Sequence, residues 1–248
     1  MELRSKVIQF LSEYLNVEQF DDYCVNGIQV EGRQNISKIV LGVSSSKRLF
    51  QAAVEHEADM VLVHHGLFWS KDSKEFKITG WMKERLEILL KNDINLAAFH
   101  LPLDAHPEVG NNMEICRILG LDVEDKFDVG FIAKNKKKLP FNHFGKLVNE
   151  KIGTTAISFP FSKKDVEKIL VISGGSGKYF EDAARLGADT FITGNLEEQM
   201  IRIAEEIELN LVNIGHYNSE KFGIQALGKL IEKKFDLMTK FIDIPNII

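Results

Sequence analysis

Cysteine is scarce: the 248 residues include only Cys24 and Cys116, far apart and without paired spacing. Cysteine-based metal binding is therefore not expected, and both are expected to be free thiols in a reducing cytosol. Long apolar runs are missing too. None approaches the roughly 20 residues needed to cross a bilayer. The amino-terminal LRSKVIQFLSEYLN interleaves charges with Leu3, Val7, Ile8, Leu11 and Leu15 at helical spacing, which suits neither a signal peptide nor a membrane span. Positive charge is not in excess. The formal net charge of -5 argues against a long nucleic-acid backbone as the main partner, though not against a local basic patch. What remains is ordinary globular composition, 44% hydrophobic and 27% charged, in a chain long enough for a large core in one domain or two lobes.

Histidine is the informative residue. The stretch MVLVHHGLFW, residues 60 to 69, runs four apolar residues into His64 and His65, followed by Gly66. Such a run reads as a buried strand opening into a loop. Neighbouring side chains on a strand point to opposite faces, so two consecutive histidines serve one site only where the strand ends and the chain turns. Open α/β sheets keep their ligands at that end of their strands.

In order, the chain predicts the first helix, then an Asn26-Gly27 turn before a strand at Ile28, Gln29 and Val30. A strand over Lys38 to Val43 and serine caps at Ser44, Ser45 and Ser46 precede the helix KRLFQAAVEHEA. An amphipathic helix over Lys77 to Asn92 leads to a strand over Ile94 to Phe99, which ends in His100 and LPLDAH. PEVGNNMEICRILG predicts a loop and a helix closed by Gly120. Residues 122 to 165 say least: DVGFIAK and TTAISFPF read as strands around the helix PFNHFGKLVNEKIG, and the lysine-rich run 134 to 138 as a solvated hairpin or loop.

The chain then repeats itself. Residues 38 to 65 align without a gap to 168 to 195: Lys38 with Lys168, Ser46 with Ser176, Phe50 with Phe180, Ala58-Asp59 with Ala188-Asp189. INLAAFHLPLD likewise resembles LNLVNIGHYNSE at 209 to 220. The expected fold is therefore α/β, with two similar α/β lobes from an internal duplication, residues 1–121 and 122–248, the segment 122–165 variable, and the functional site in the cleft between the lobes.

Equivalent strand ends can converge on that cleft. The first lobe supplies His64, His65 and Asp104; in the second, Gly194 and Asn195 replace the histidine pair, and GHYNSE supplies His216 and Glu220. His216 and Glu220 are four apart at the start of a helix and share a face. Each residue has an ordinary alternative: a cap for His216, a solvent-facing acid for Glu220, a turn former for Asp104. What joins them is that each follows an apolar strand. Three imidazoles and two carboxylates are too many for one tetrahedral site but fit two divalent cations, with Glu220 as a bridge. Nitrogen and oxygen donors without thiolate suit Zn, Fe, Mn, Ni or Co. His100 and His106 flank Asp104 and are candidates to orient a ligand or face a substrate; no catalytic acid or base stands out. The glycine-rich 174 to 177 lacks the P-loop ending and reads as a turn.

With these residues in place, the chain resembles the NIF-three-like (YbgI-type) family, whose members are labelled GTP cyclohydrolase I type 2 homologues. The likeness rests on NGIQVEG (26 to 32), VHHG (63 to 66), LPLDAH (101 to 106) with GNN after it, ITGNLEEQ (192 to 199), GHYNSE (215 to 220) and the closing FIDIPNII. The resemblance implies a dinuclear metal centre on the same five residues, His64, His65, Asp104, His216 and Glu220, with two metal ions per subunit. It also implies a toroidal homohexamer and a small-molecule substrate, GTP being the one the label suggests; the cytoplasmic setting is expected from the free cysteines. The function expected is a dinuclear-metal-dependent hydrolase acting on a nucleotide or related heterocycle through a metal-activated water. The alternatives are a metal-delivery protein, or a toroidal scaffold binding nucleic acid or protein without catalysis.

Overall fold

The computed structural model describes residues 1–70 and 77–246; Ile247 and Ile248 of the closing motif lie outside the described residues. The chain begins with β1 (Glu2–Leu3), α1 (Arg4–Tyr14), β2 (Gly27–Val30), β3 (Asn35–Ile36), β4 (Lys38–Ser44), α2 (Lys47–Glu55), β5 (Met60–His65), α3 (Gly80–Lys91), β6 (Asn95–Ala98) and the single turn α4 (Leu101–Asp104). There follow α5 (Asn111–Leu119), β7 (Asp122–Phe127), β8 (Gly130–Leu139), α6 (Phe141–Ile152), β9 (Ile157–Phe159), β10 (Val166–Ile172), α7 (Phe180–Arg185), β11 (Thr190–Thr193), α8 (Glu198–Glu206), β12 (Asn210–Asn213), α9 (His216–Phe235) and β13 (Met238–Phe241). The class is α/β, as expected. Among the described residues no helix is long and apolar enough to cross a membrane.

The chain groups into two compact units, Met1–Leu103 with Ile224–Ile244, and Asp104–Gly223 with Pro245 and Asn246. This grouping divides the chain differently from a single cut at 121/122. The carboxyl-terminal residues return to the first unit because β13 pairs in parallel with β4, Met238 opposite Lys38.

In the first unit the sheet order is β13-β4-β5-β6-β2, parallel except for β2. Strands β4 and β5 are nearly continuous apolar runs because helices cover them. Leu49, Phe50 and Ala53 of α2 and Met82, Leu86 and Leu89 of α3 pack on Val61, Val63 and Leu96. The Ser46 hydroxyl caps α2 by accepting the Leu49 N–H.

The second unit has the order β7-β8-β10-β11-β12-β9, with β10, β11 and β12 parallel and antiparallel partners outside them. Alternation along β10 divides its side chains between two cores: Ile169 and Val171 join Phe144 and Val148, while Leu170 and Ile172 join Phe180 and Phe191.

Strand pairings in the two sheets fall at corresponding positions of the sequence alignment. Ile39 faces Met60, and Ile169 faces Thr190, at the same offset that aligns Lys38 with Lys168. Asp59 Oδ2 accepts the N–H groups of Ser37 and Lys38 at 2.7 and 3.0 Å. Asp189 Oδ2 accepts those of Glu167 and Lys168 at 2.9 and 2.7 Å. Each Ala-Asp pair therefore ties the start of one strand to the start of the next.

Several elements differ from expectation. The lysine-rich run is strand, not hairpin or loop: it lies within β8. Asn135 is buried there and donates to the Val166 carbonyl, while Lys136 pairs with Asp122 and Lys138 with Glu167 at 3.0 and 2.9 Å. Cross-strand pairing holds this segment extended where apolar alternation would not. The segment LPLD forms a helical turn, TTAISFPF is strand only over Ile157–Phe159, and α3 begins at Gly80 rather than Lys77.

Candidate metal centre

In the first unit, β5 ends on His64, fully buried, and His65. His100 lies just beyond β6, the neighbouring strand, and is also buried. The three rings gather, with centroids 4.6 Å apart for His64 and His65, 4.9 Å for His64 and His100, and 5.5 Å for His65 and His100. Each offers one ring nitrogen, and the three nitrogens lie within 4.8 Å of one another.

The partners of these rings decide what they can bind. His64 Nδ1 lies 3.0 Å from the Phe99 carbonyl oxygen. A carbonyl only accepts, so Nδ1 carries the proton and Nε2 the lone pair. His100 Nδ1 lies 2.9 Å from Asp22 Oδ1. Burial alone would raise the Asp22 carboxyl, but the hydrogen bond from His100, with donors from Cys24 and Asn26, outweighs it and holds it below its ordinary value. That ionised carboxylate also only accepts, and fixes the same tautomer on His100. His65 Nδ1 meets the Ser44 hydroxyl at 2.9 Å, a partner that accommodates either direction. Imidazoles anchored through Nδ1 with Nε2 as the donor are the usual form of histidine metal ligands.

Gln29 braces the loop that follows. Its Oε1 accepts the Leu67 N–H at 2.7 Å, its Nε2 donates to the Val25 carbonyl at 2.7 Å, and a Cβ on Gly66 would overlap its amide. Gly66 therefore provides close approach.

In the second unit the carboxylates are equally well held. Asp104 is buried, and its Oδ1 accepts from Asn111 Nδ2 at 2.8 Å and from the Ser173 hydroxyl at 3.1 Å. Asn111 in turn accepts the Gly223 N–H at 2.7 Å. At the start of α9, His216 Nε2 lies 3.1 Å from Glu220 Oε2, with Glu220 2% exposed. The shared helix face expected from the four-residue spacing is present. Ser219 ties this turn to the loop after β10: its hydroxyl accepts the Gly174 N–H at 2.9 Å and donates to the His216 carbonyl at 2.7 Å. Gly174, at φ +64°, leaves the room that Glu220 Oε1 uses, since a Cβ there would overlap that oxygen.

His106 is placed differently. Its Nδ1 accepts the N–H groups of Glu108 and Val109 at 3.2 and 3.3 Å, which closes a turn. Asn195, at the position equivalent to His65, accepts the Gly177 N–H at 3.0 Å and holds the glycine-rich turn. Sequence reasoning missed the anchors Asp22, Ser44, Ser173 and Ser219, although Asn111 lies inside the GNN motif.

The donor set, imidazole nitrogen and carboxylate oxygen without thiolate, suits divalent cations of the Zn, Fe, Mn, Ni or Co kind, and the space Gly174 leaves at Glu220 is built into the backbone. Fold and side chains thus define an α/β protein with His, Asp and Glu groups able to hold a metal ion. The family model for Duf34/NIF3 (NGG1p interacting factor 3) matches residues 2–246, and the chain belongs to that family. It is similar to a Yersinia pestis protein named GTP cyclohydrolase 1 type 2 homolog, 39% identical over 246 residues, with 95% of this chain and 96% of the relative covered. Among solved structures it resembles protein ybgI, described as of unknown function, with TM-score 0.95, 37% identity and 99% of each chain covered. A Thermus thermophilus protein matches with TM-score 0.91, 34% identity and 100% of each chain.

Proposed function

We propose that the protein is a divalent-metal-dependent hydrolase in which His64, His65, Asp104, His216 and Glu220 act as one ligand set for two cations. The observation that carries this is the fixed tautomer of His64: its proton is committed to the Phe99 carbonyl, so a fully buried imidazole contributes a lone pair to a group of three.

The remaining residues orient these donors. Ser44 holds His65, Ser173 and Asn111 hold Asp104, and Ser219 fixes the turn from which His216 and Glu220 project. A bound divalent cation supplies Lewis acidity, polarising an acceptor atom and bringing a water pKa near neutrality. Glu220 and His216, adjacent at the start of α9, would hold a cation together. The relatives' shared name mentions GTP cyclohydrolase, and the substrate class we take from it is a nucleotide or related heterocycle. On the family resemblance we also propose a toroidal homohexamer, checked by light scattering as six chains per particle.

A panel of nucleotides, phosphoesters and cyclic amides, offered to protein reconstituted separately with Zn, Mn, Fe and Ni, tests the reading. Turnover with at least one cation is expected, and its loss in His64→Ala and Glu220→Ala. Fully loaded protein that passes its metal to an acceptor but turns over nothing would make it a metal carrier instead.

A further inference from the structure

The segment Asp22 to Gln29 leads into β2, and its side chains organise His100. Asp22 Oδ1 accepts the Cys24 N–H and the His100 Nδ1–H, each at 2.9 Å. Its Oδ2 accepts Asn26 Nδ2 and the Leu101 N–H, each at 2.9 Å. Asn26 Oδ1 accepts the backbone N–H of His100 at 2.8 Å. Ring and backbone of His100 are thus both held from this one loop. Tyr23 and Trp69 fix the ring plane edge-on, with centroids 5.0 and 5.3 Å away. A residue needed only for packing would not require four donors converging on one carboxylate to set its tautomer.

We infer that His100 is a further imidazole of the cation site, donating through Nε2 beside His64 and His65, and that Asp22 is its positioning residue. The inference rests on the metal reading above. It adds a residue outside the five-ligand set and gives NGIQVEG and the acid ahead of it a physical role. An amide cannot replace Asp22. Four donors meet its two oxygens, and Asn would turn an NH₂ group toward two of them.

The test is a Co(II) titration of the full-length protein, read from the visible ligand-field bands, with affinity measured by chelator competition. His100→Ala and Asp22→Asn are each expected to weaken binding about ten- to a hundredfold and to alter the bands. Added imidazole should restore the wild-type bands in His100→Ala. Asp59→Asn, in the same unit but away from the three rings, should lose stability and keep the wild-type spectrum. If His100→Ala fails to fold, His100→Gln replaces it. Wild-type affinity and bands in both the His100 and Asp22 variants would overturn the inference while leaving the five-residue site standing. A wild-type protein that binds no Co(II) or Zn(II) would remove both.

Discussion

Replacing Gly174 with alanine should disturb Glu220 and His216 more than its small size suggests. Gly174 sits at φ +64°, and a Cβ there overlaps Oε1 of Glu220 and comes within 3.4 Å of His216 Nε2. Left-handed backbone costs an L-residue about 1–2 kcal/mol. Forcing a methyl into filled space adds about 1–3 kcal/mol. Gly187 supplies the comparison: at φ +76° it carries the same backbone cost, but its nearest neighbour would be the flexible Lys168 Nζ at 3.8 Å. Gly174→Ala should therefore lower the apo melting temperature by roughly 5–15 °C, and Gly187→Ala by only a few degrees, at about 2–4 °C per kcal/mol for a chain of this size. Scanning calorimetry with and without Zn separates stability from binding, because a ligand that binds only the folded state raises Tm by mass action. The Zn-induced rise should survive in Gly187→Ala and shrink in Gly174→Ala. Equal losses and equal Zn shifts in the two variants would refute the reasoning.

Other expectations follow from the same geometry. Burial raises the Asp59 carboxyl, but the N–H groups of Lys38 and Ser37, the Ser37 hydroxyl and Arg33 outweigh it and hold it below its ordinary 3.8. Its stabilisation is therefore fully present above about pH 5 and lost as pH falls through the lowered folded value. Urea titrations should show Asp59→Asn about 2–4 kcal/mol less stable at pH 7, with the gap closing below about pH 4; a constant gap would exclude the carboxylate as its source. Burial pushes Cys24 up to about 11 and Cys116 up to about 12, so thiol reagents at pH 8 should label neither in the native protein and both after unfolding. Lys136 and Lys138 hold exposed pairs, and alanine at either should change stability by less than about 1 kcal/mol, read from the urea midpoint.

The sequence showed those parts of the molecule whose signal is local. MVLVHH announced a buried strand carrying its polar residues at the end, and HYNSE placed an acid four residues beyond a histidine. The aligned pairs Ala58-Asp59 and Ala188-Asp189 reappear as matching carboxylate ties beneath each sheet. Hidden elements depend on distant partners. β7, DVEDKF, is exposed and charged, and it is a strand only because β8 pairs with it. β13 has no unusual composition, and its place beside β4 comes from the far end of the chain. The same holds for the candidate residues: they could be seen at strand ends, whereas the anchor of His100 lies 78 positions away at Asp22, and that of Asp104 lies 69 away at Ser173.

The central claim, that these imidazoles and carboxylates serve divalent cations, is met most directly by counting metal. Protein loaded with Zn or Mn, freed of excess ion and analysed by plasma mass spectrometry should retain about two equivalents per chain, and clearly fewer in His64→Ala and in Glu220→Ala. Wild-type protein that retains none, or variants that retain as much as wild type, would contradict it.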